Sequence, residues 1–203
     1  HSARSLQNRK LIPASRPAAA PPSIDGVQST KLDWSPKRPP IRLRLPRFQY
    51  TAREPLSGAC FTGYADELSK SYAALLAEQL SLRLAAHGLD LTTLTWQTNN
   101  GSEFSENQQG QGLPATVRAL GSDHRCIPPK RYTWQSEVET VRRLVKKEFF
   151  DRETFAGPAD FWAKIITCWR YFNLVRPNRG KEWQSPLQIL LAQAPALAGA
   201  LLN

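Results

Sequence analysis

A chain of 203 residues that is 41% hydrophobic is long enough for one domain with a substantial core. Its 27 Lys and Arg against 17 Asp and Glu leave a formal net charge of +10, which favours a polyanionic partner, nucleic acid before an acidic membrane surface. The cysteines Cys60, Cys126 and Cys168 are odd in number, form no CxxC pair and share no zinc-like spacing with His1, His87 or His124. That argues against a disulfide scaffold or a structural zinc and for a reducing compartment. No apolar run approaches the ~18 residues of a bilayer span and no signal peptide opens the chain, so a cytosolic location without a membrane partner is expected.

Residues 1–24 are rich in Pro, Ala, Ser and Arg without apolar periodicity, and read as a basic linker or arm. A start at His-Ser with no Met anywhere leads to the expectation that a longer protein precedes them. Three short β-branched and aromatic runs follow, at Gly26 to Trp34, Arg47 to Ala52 and Gly58 to Tyr64, bounded by Gly and Pro as strands are. From Ser69 the spacing of Tyr72, Leu75, Leu76, Leu80 and Leu84 changes to that of a helix with one buried face, capped by Ser69 and stopped at Gly88. A buried strand is predicted over Leu91 to Thr98, a polar loop over Asn99 to Gly112, a short helix over Leu113 to Leu120 and a short strand over His124 to Ile127. Two long helices close the domain: Gln135 to Asp151 with Val138, Val141, Val145 and Phe149 on one stripe, and Ala159 to Val175 with Phe161, Ile165, Ile166, Trp169 and Phe172. The order implies an α/β architecture, with a core over 25–194 and a C-terminal tail over 195–203.

Two segments carry candidate chemistry. TWQTNNGSEF, Thr95 to Phe104, ends a predicted strand, where open α/β sheets place their sites. QSEVE, Gln135 to Glu139, opens a helix on which Glu139, Arg142, Arg143 and Lys146 share a face. Singly, each has an ordinary reading: Asn-Asn-Gly as a turn, a Glu complementing a helix dipole, and an Arg/Lys ridge as a solvated face.

Together they resemble one family. QTNNGSEF is similar to the integrase-core motif Q-T-D-N-G-S-E-F of bacterial insertion-sequence transposases, with Asn in place of Asp. QSEVETVRRLVKKEFF resembles that family's helix bearing the last catalytic Glu. FWAKIITCWRYFNLVRPNRGKEWQSPLQIL resembles its closing segment, in which Y-x-N-x-x-R-P-N precedes a Pro that starts a final short helix. The likeness runs from about Gly26 to Leu191 and extends to retroviral integrases. It implies a ribonuclease-H-like mixed sheet flanked by helices, and three carboxylates holding two Mg²⁺ or Mn²⁺ ions about 3.5–4 Å apart at a phosphodiester. It also implies cleavage and transfer of DNA strands, DNA as element ends and target, self-association as a homo-oligomer, and a bacterial cytosolic setting.

The acids depart from that pattern. Ser29, in GVQSTK, best fits the first acidic position, expected in a context like V-Q-x-D-T-K; Asn99 takes the second; Glu139, 40 positions beyond Asn99, is the intact third. Ser29, Asn99 and Glu139 are therefore the catalytic candidates, with Glu139 and Asn99 as metal ligands. A neutral amide lacks the Coulombic pull of a carboxylate, so metal binding is expected to be weak and strand chemistry lost or severely reduced. Asp33 is too far along its strand to substitute, Asp66 and Glu67 read as capping or solvated, and Glu103 as orienting backbone. DNA contact is expected from Lys130, Arg131, Arg142, Arg143, Lys146 and Lys147, with Arg176, Arg179 and Lys181 as a second cluster; Trp134 reads first as core and second as a stacking platform. The alternatives are a non-catalytic DNA-binding or assembly module on the same fold, and a protein scaffold.

Overall fold

The computed structural model describes residues 23–32, 44–128 and 136–202. Among these residues five strands, β1 (Ser23–Lys31), β2 (Phe48–Arg53), β3 (Cys60–Ala65), β4 (Thr95–Thr98) and β5 (Asp123–Cys126), form one sheet in the order β3-β2-β1-β4-β5. β1 to β3 are antiparallel, whereas β4 and β5 run parallel to β1, so the sheet is mixed. Among the described residues six α-helices complete the domain: α1 (Lys70–Ala86), α2 (Leu113–Ala119), α3 (Ser136–Val145), α4 (Pro158–Arg170), α5 (Pro186–Gln193) and α6 (Pro195–Leu202). α3 and α4 each run on into one wider π turn, Lys146–Phe150 and Tyr171–Val175, which gives them the lengths predicted from the sequence.

β1 contains a bulge. Its pairing slips between Asp25 and Gln28 on the β2 side and between Ile24 and Val27 on the β4 side. Gly26, at φ +73°, supplies the left-handed residue there. The extra residue resets the alternation, so Ile24 and Val27, three apart, are both fully buried on one face.

Each face has its own core. On one, Val27, Tyr50, Ala52, Ala65 and Trp96 pack against α1, α2, α5 and α6. On the other, Cys60 and Tyr64 pack against α3 and α4 through Val141, Val145, Phe149, Phe161 and Ile165. Tyr50 ties the first layer together: its hydroxyl accepts from the Ser69 amide at 3.0 Å, beside the predicted cap of α1, where Ser69 Oγ accepts from the Tyr72 amide.

Four expectations are corrected. The buried face of α1 is Ala73, Ala77, Leu80, Ser81 and Leu84, while Tyr72 and Leu75 are exposed; small side chains let the helix approach the sheet, where Gly63 meets Leu76. Leu91–Thr93 form a 3₁₀ turn capped by Asp90, and only Thr95–Thr98 are strand. Residues 195–202 are no tail, because α6 inserts Leu197, Ala198 and Ala200 into the first core, each 1% exposed. Ile166 on α4 is exposed rather than core-facing. No described helix is long and apolar enough to cross a membrane.

Candidate active-site corner and basic surface

Where β4 ends, the chain turns on its own side chains. Asn99 Oδ1 accepts from the Gly101 amide at 2.9 Å, an Asx turn of the kind Asn-Asn-Gly favours. Ser102–Phe104 then make a 3₁₀ turn that buries Phe104 edge-on against Tyr50 and leaves Glu103 only 8% exposed. Glu103 Oε1 accepts a 2.5 Å hydrogen bond from Ser29 Oγ on β1. A Cβ at Gly101 would lie 2.6 Å from Glu103 Oε2 and 2.9 Å from Asn99 Oδ1, so a side chain there would have to push one of these groups aside. Ser29, Asn99 and Glu103 thus meet at one corner, and Glu103, read from sequence as merely orienting backbone, is its carboxylate.

Glu139 reaches the sheet from the other side. Ser29 pairs with Tyr50 and shares its face, the one covered by α1. Gln28 and Thr30 point the opposite way with their partners Thr51 and Gln49, toward the layer of α3. Two anchors give the direction of α3. Near its start Glu137 bonds Arg53 Nε at 3.1 Å, on the β2 residue paired with Asp25. Further on, Arg142, Val145 and Lys146 line a cleft with Thr30, Lys31 and Gln49. α3 therefore runs alongside β1 in the same sense. Glu139, seven residues before Lys146 and on the same helical face, lies between those anchors. It is exposed and has no hydrogen-bond or ion-pair partner among the described residues. The structure joins Ser29 to the Asn99 turn but places the helix of Glu139 behind the opposite face of β1, where Thr30 is the facing side chain. Asp33, Lys130, Arg131 and Trp134 lie outside the described residues.

The donors do not fit a pair of divalent ions. Of the three expected positions two are neutral, and the nearby Glu103 carboxylate is engaged by Ser29. Among the described residues no three His, Cys, Asp or Glu side chains come together to hold a metal.

No family model and no curated protein matches the sequence. Solved structures do match. The crystal structure of the catalytic core domain of BIV integrase superposes with TM-score 0.56 at 20% identity, over 82% of this chain and 92% of that one. The chain has the fold of a retroviral integrase catalytic core. A second match is the simian T-cell lymphotropic virus intasome in complex with PP2A regulatory subunit B56 gamma, at TM-score 0.59 and 15% identity, over 86% of this chain and 56% of that one. The ribonuclease-H-like mixed sheet expected from the motifs is therefore the fold found, and in this integrase-type core the Asn99 turn follows β4 while Glu139 rides on α3.

The solvent face of α3 and of the π turn that continues it is basic. Arg142, Arg143, Lys146 and Lys147 on α3 are all exposed and form no ion pair among the described residues. The other predicted cluster divides: Arg176 bonds Glu148 at 3.0 Å, Lys181 Nζ donates to the Pro55 carbonyl at 2.9 Å, and Arg179 is exposed.

His124 on β5 contacts Thr98 Oγ1 at 3.0 Å, one residue before Asn99. Burial, and then the Arg118 charge, hold its pKa below the ordinary 6.5. A histidine whose folded pKa is depressed supports full stability above the unfolded pKa, and stability falls as pH drops below it because the unfolded chain binds the extra proton. The Tm is therefore expected to fall between about pH 7.5 and pH 5, with a smaller fall in His124→Gln; equal falls would show that another group sets the dependence.

Proposed function

We propose that this chain is an integrase-type core that binds DNA through the ridge of α3 and carries out little or no metal-dependent strand cleavage or transfer. The observation that carries this reading is the shortage of charge: Ser29, Thr30 and Asn99 are all neutral, and the one carboxylate at the corner, Glu103, accepts the Ser29 hydroxyl, where two carboxylates beside Glu139 would be needed to offset paired cations. Four cations on α3 and its π turn, without an ion-pair partner among the described residues, and an overall charge of +10 support a sequence-independent hold on phosphates. One similar chain was solved within an intasome, which supports DNA and self-association as partners here. Of the alternatives, the non-catalytic DNA-binding or assembly module is thus the one favoured, over both the active transferase and the scaffold. The test is duplex binding followed across salt with either Mg²⁺ or a chelator present. Tight binding at low salt, steep loss with salt and no difference between the two conditions are expected. Salt-independent binding, or binding that requires Mg²⁺, would contradict the reading.

A further inference from the structure

The opposite flank of α3 carries a second basic feature that the duplex-binding ridge does not use. A pocket of about 550 Å³ opens between the start of α3 and the segment after α4, a size that suits a small ligand. Its wall includes Arg53, whose side chain is 8% exposed, and its rim carries Arg176, Arg179 and Lys181; Glu137, bonded to Arg53, is the one acid among the described lining residues. Arg179 has no ion-pair partner among the described residues, and Lys181 gives its charge only to a carbonyl oxygen.

The rim is also built to hold an aromatic ring in water. Asn178 and Gln184 close the segment by a backbone bridge, the Asn178 side chain accepts from the Gly180 amide, and the Asn178 carbonyl accepts from the amides of Lys181 and Trp183. Closing so tightly forces Glu182 and Trp183 into the left-handed region, at φ 54° and 61°, where side-chain-bearing residues are strained. The result leaves Trp183 66% exposed beside Arg179 and Lys181. An indole held out of the core at the cost of backbone strain, with cations around it, matches what an unpaired nucleotide needs: a flat surface for the base and positive charge for its phosphates.

We propose that this pocket binds an unpaired nucleotide of a DNA strand, the base stacking on Trp183 and the adjoining phosphates meeting Arg179 and Lys181. The assignment rests on the nucleic-acid reading above but uses a different face. A paired base, stacked inside a duplex, cannot offer its flat side to Trp183, so the pocket distinguishes single strands and overhangs from blunt duplex.

The experiment measures fluorescence anisotropy of a labelled single-stranded oligonucleotide and of a blunt duplex with the same number of phosphates, for the parent chain, Trp183→Ala and Trp183→Phe. Trp183 belongs to neither core, so both variants keep the fold. Single-strand affinity is expected to fall roughly 5- to 100-fold in Trp183→Ala and to stay within a few-fold in Trp183→Phe, with duplex affinity unchanged in both. Unchanged single-strand affinity in Trp183→Ala, with duplex binding intact, would overturn this proposal alone. Absence of binding to either DNA by the parent chain would overturn it together with the proposed function. A phosphorylated peptide that displaces the single strand as well as an oligonucleotide of equal charge would assign the pocket to a polypeptide and overturn it too.

Discussion

The double variant Thr30→Asp/Asn99→Asp is expected to gain Mg²⁺- or Mn²⁺-dependent nicking of duplex DNA, while Ser29→Asp/Asn99→Asp is not. Both restore two negative charges, and they differ only in the face of β1 that carries one of them. Thr30 lines the cleft with Arg142 and Lys146 on the helix of Glu139, so an Asp there adds its charge on the side where Glu139 stands. Ser29 is 2.5 Å from Glu103 on the far face, so an Asp there sets two carboxylates against each other in a half-buried corner and raises the pKa of the pair. The gain expected for the Thr30 variant is at least ~10²-fold over the parent, the scale on which one group stabilising a transition state acts. The Ser29 variant is expected to lose stability, visible as a lower denaturant midpoint that recovers on acidification as one carboxylate takes a proton. Metal-dependent nicking by the Ser29 variant, with none by the Thr30 variant, would reverse the assignment of faces.

Replacing Arg142, Arg143, Lys146 and Lys147 together with Ala is expected to abolish most duplex binding at moderate salt without unfolding the chain. All four side chains are exposed, and the core stripe of α3 is Val138, Val141 and Val145, which they leave untouched. If each contacts one phosphate, the slope of log affinity against log salt becomes shallower by about 3 to 4, at ~0.9 per contact. That separates a phosphate contact from mere solubilising charge, since loss of affinity without a change of slope would come from a disturbed fold. An unchanged slope would transfer DNA contact away from α3.

Much of this was legible in the sequence because local signals agreed with the global fold. The valine stripe of α3 has the helical period and is buried as read, and Ser69 caps α1 as its position before the apolar run implies. Asn-Asn-Gly made the turn that its side chains favour, at the carboxyl end of β4. What could not be read was register. V-Q-S-T-K is one residue shorter than V-Q-x-D-T-K, so counting back from Lys31 puts the acidic position at Ser29 and counting forward from Val27 puts it at Thr30, and a slip of one residue in a strand reverses every side chain. The bulge at Gly26 adds to this, because counting by twos from Ile24 assigns Val27 to the wrong face. Glu103 was missed for a different reason. Its burial comes from Phe104 docking on Tyr50, 54 residues earlier in the chain, and no local pattern encodes that contact. The same holds for Arg53, whose partner Glu137 is 84 residues away, and for α6, whose short Ala- and Leu-rich sequence gives no period but fills the first core.

The weak metal binding proposed for this corner can be measured without any reaction. Mn²⁺ titrated into the chain as it stands, followed by the loss of the free-ion electron paramagnetic resonance signal, reports how many ions bind and how tightly. With neutral groups at residues 29 and 99 and the Glu103 carboxylate engaged, no saturable binding is expected below millimolar Mn²⁺. Two ions bound per chain at micromolar concentration, lost on Glu139→Gln, would contradict it.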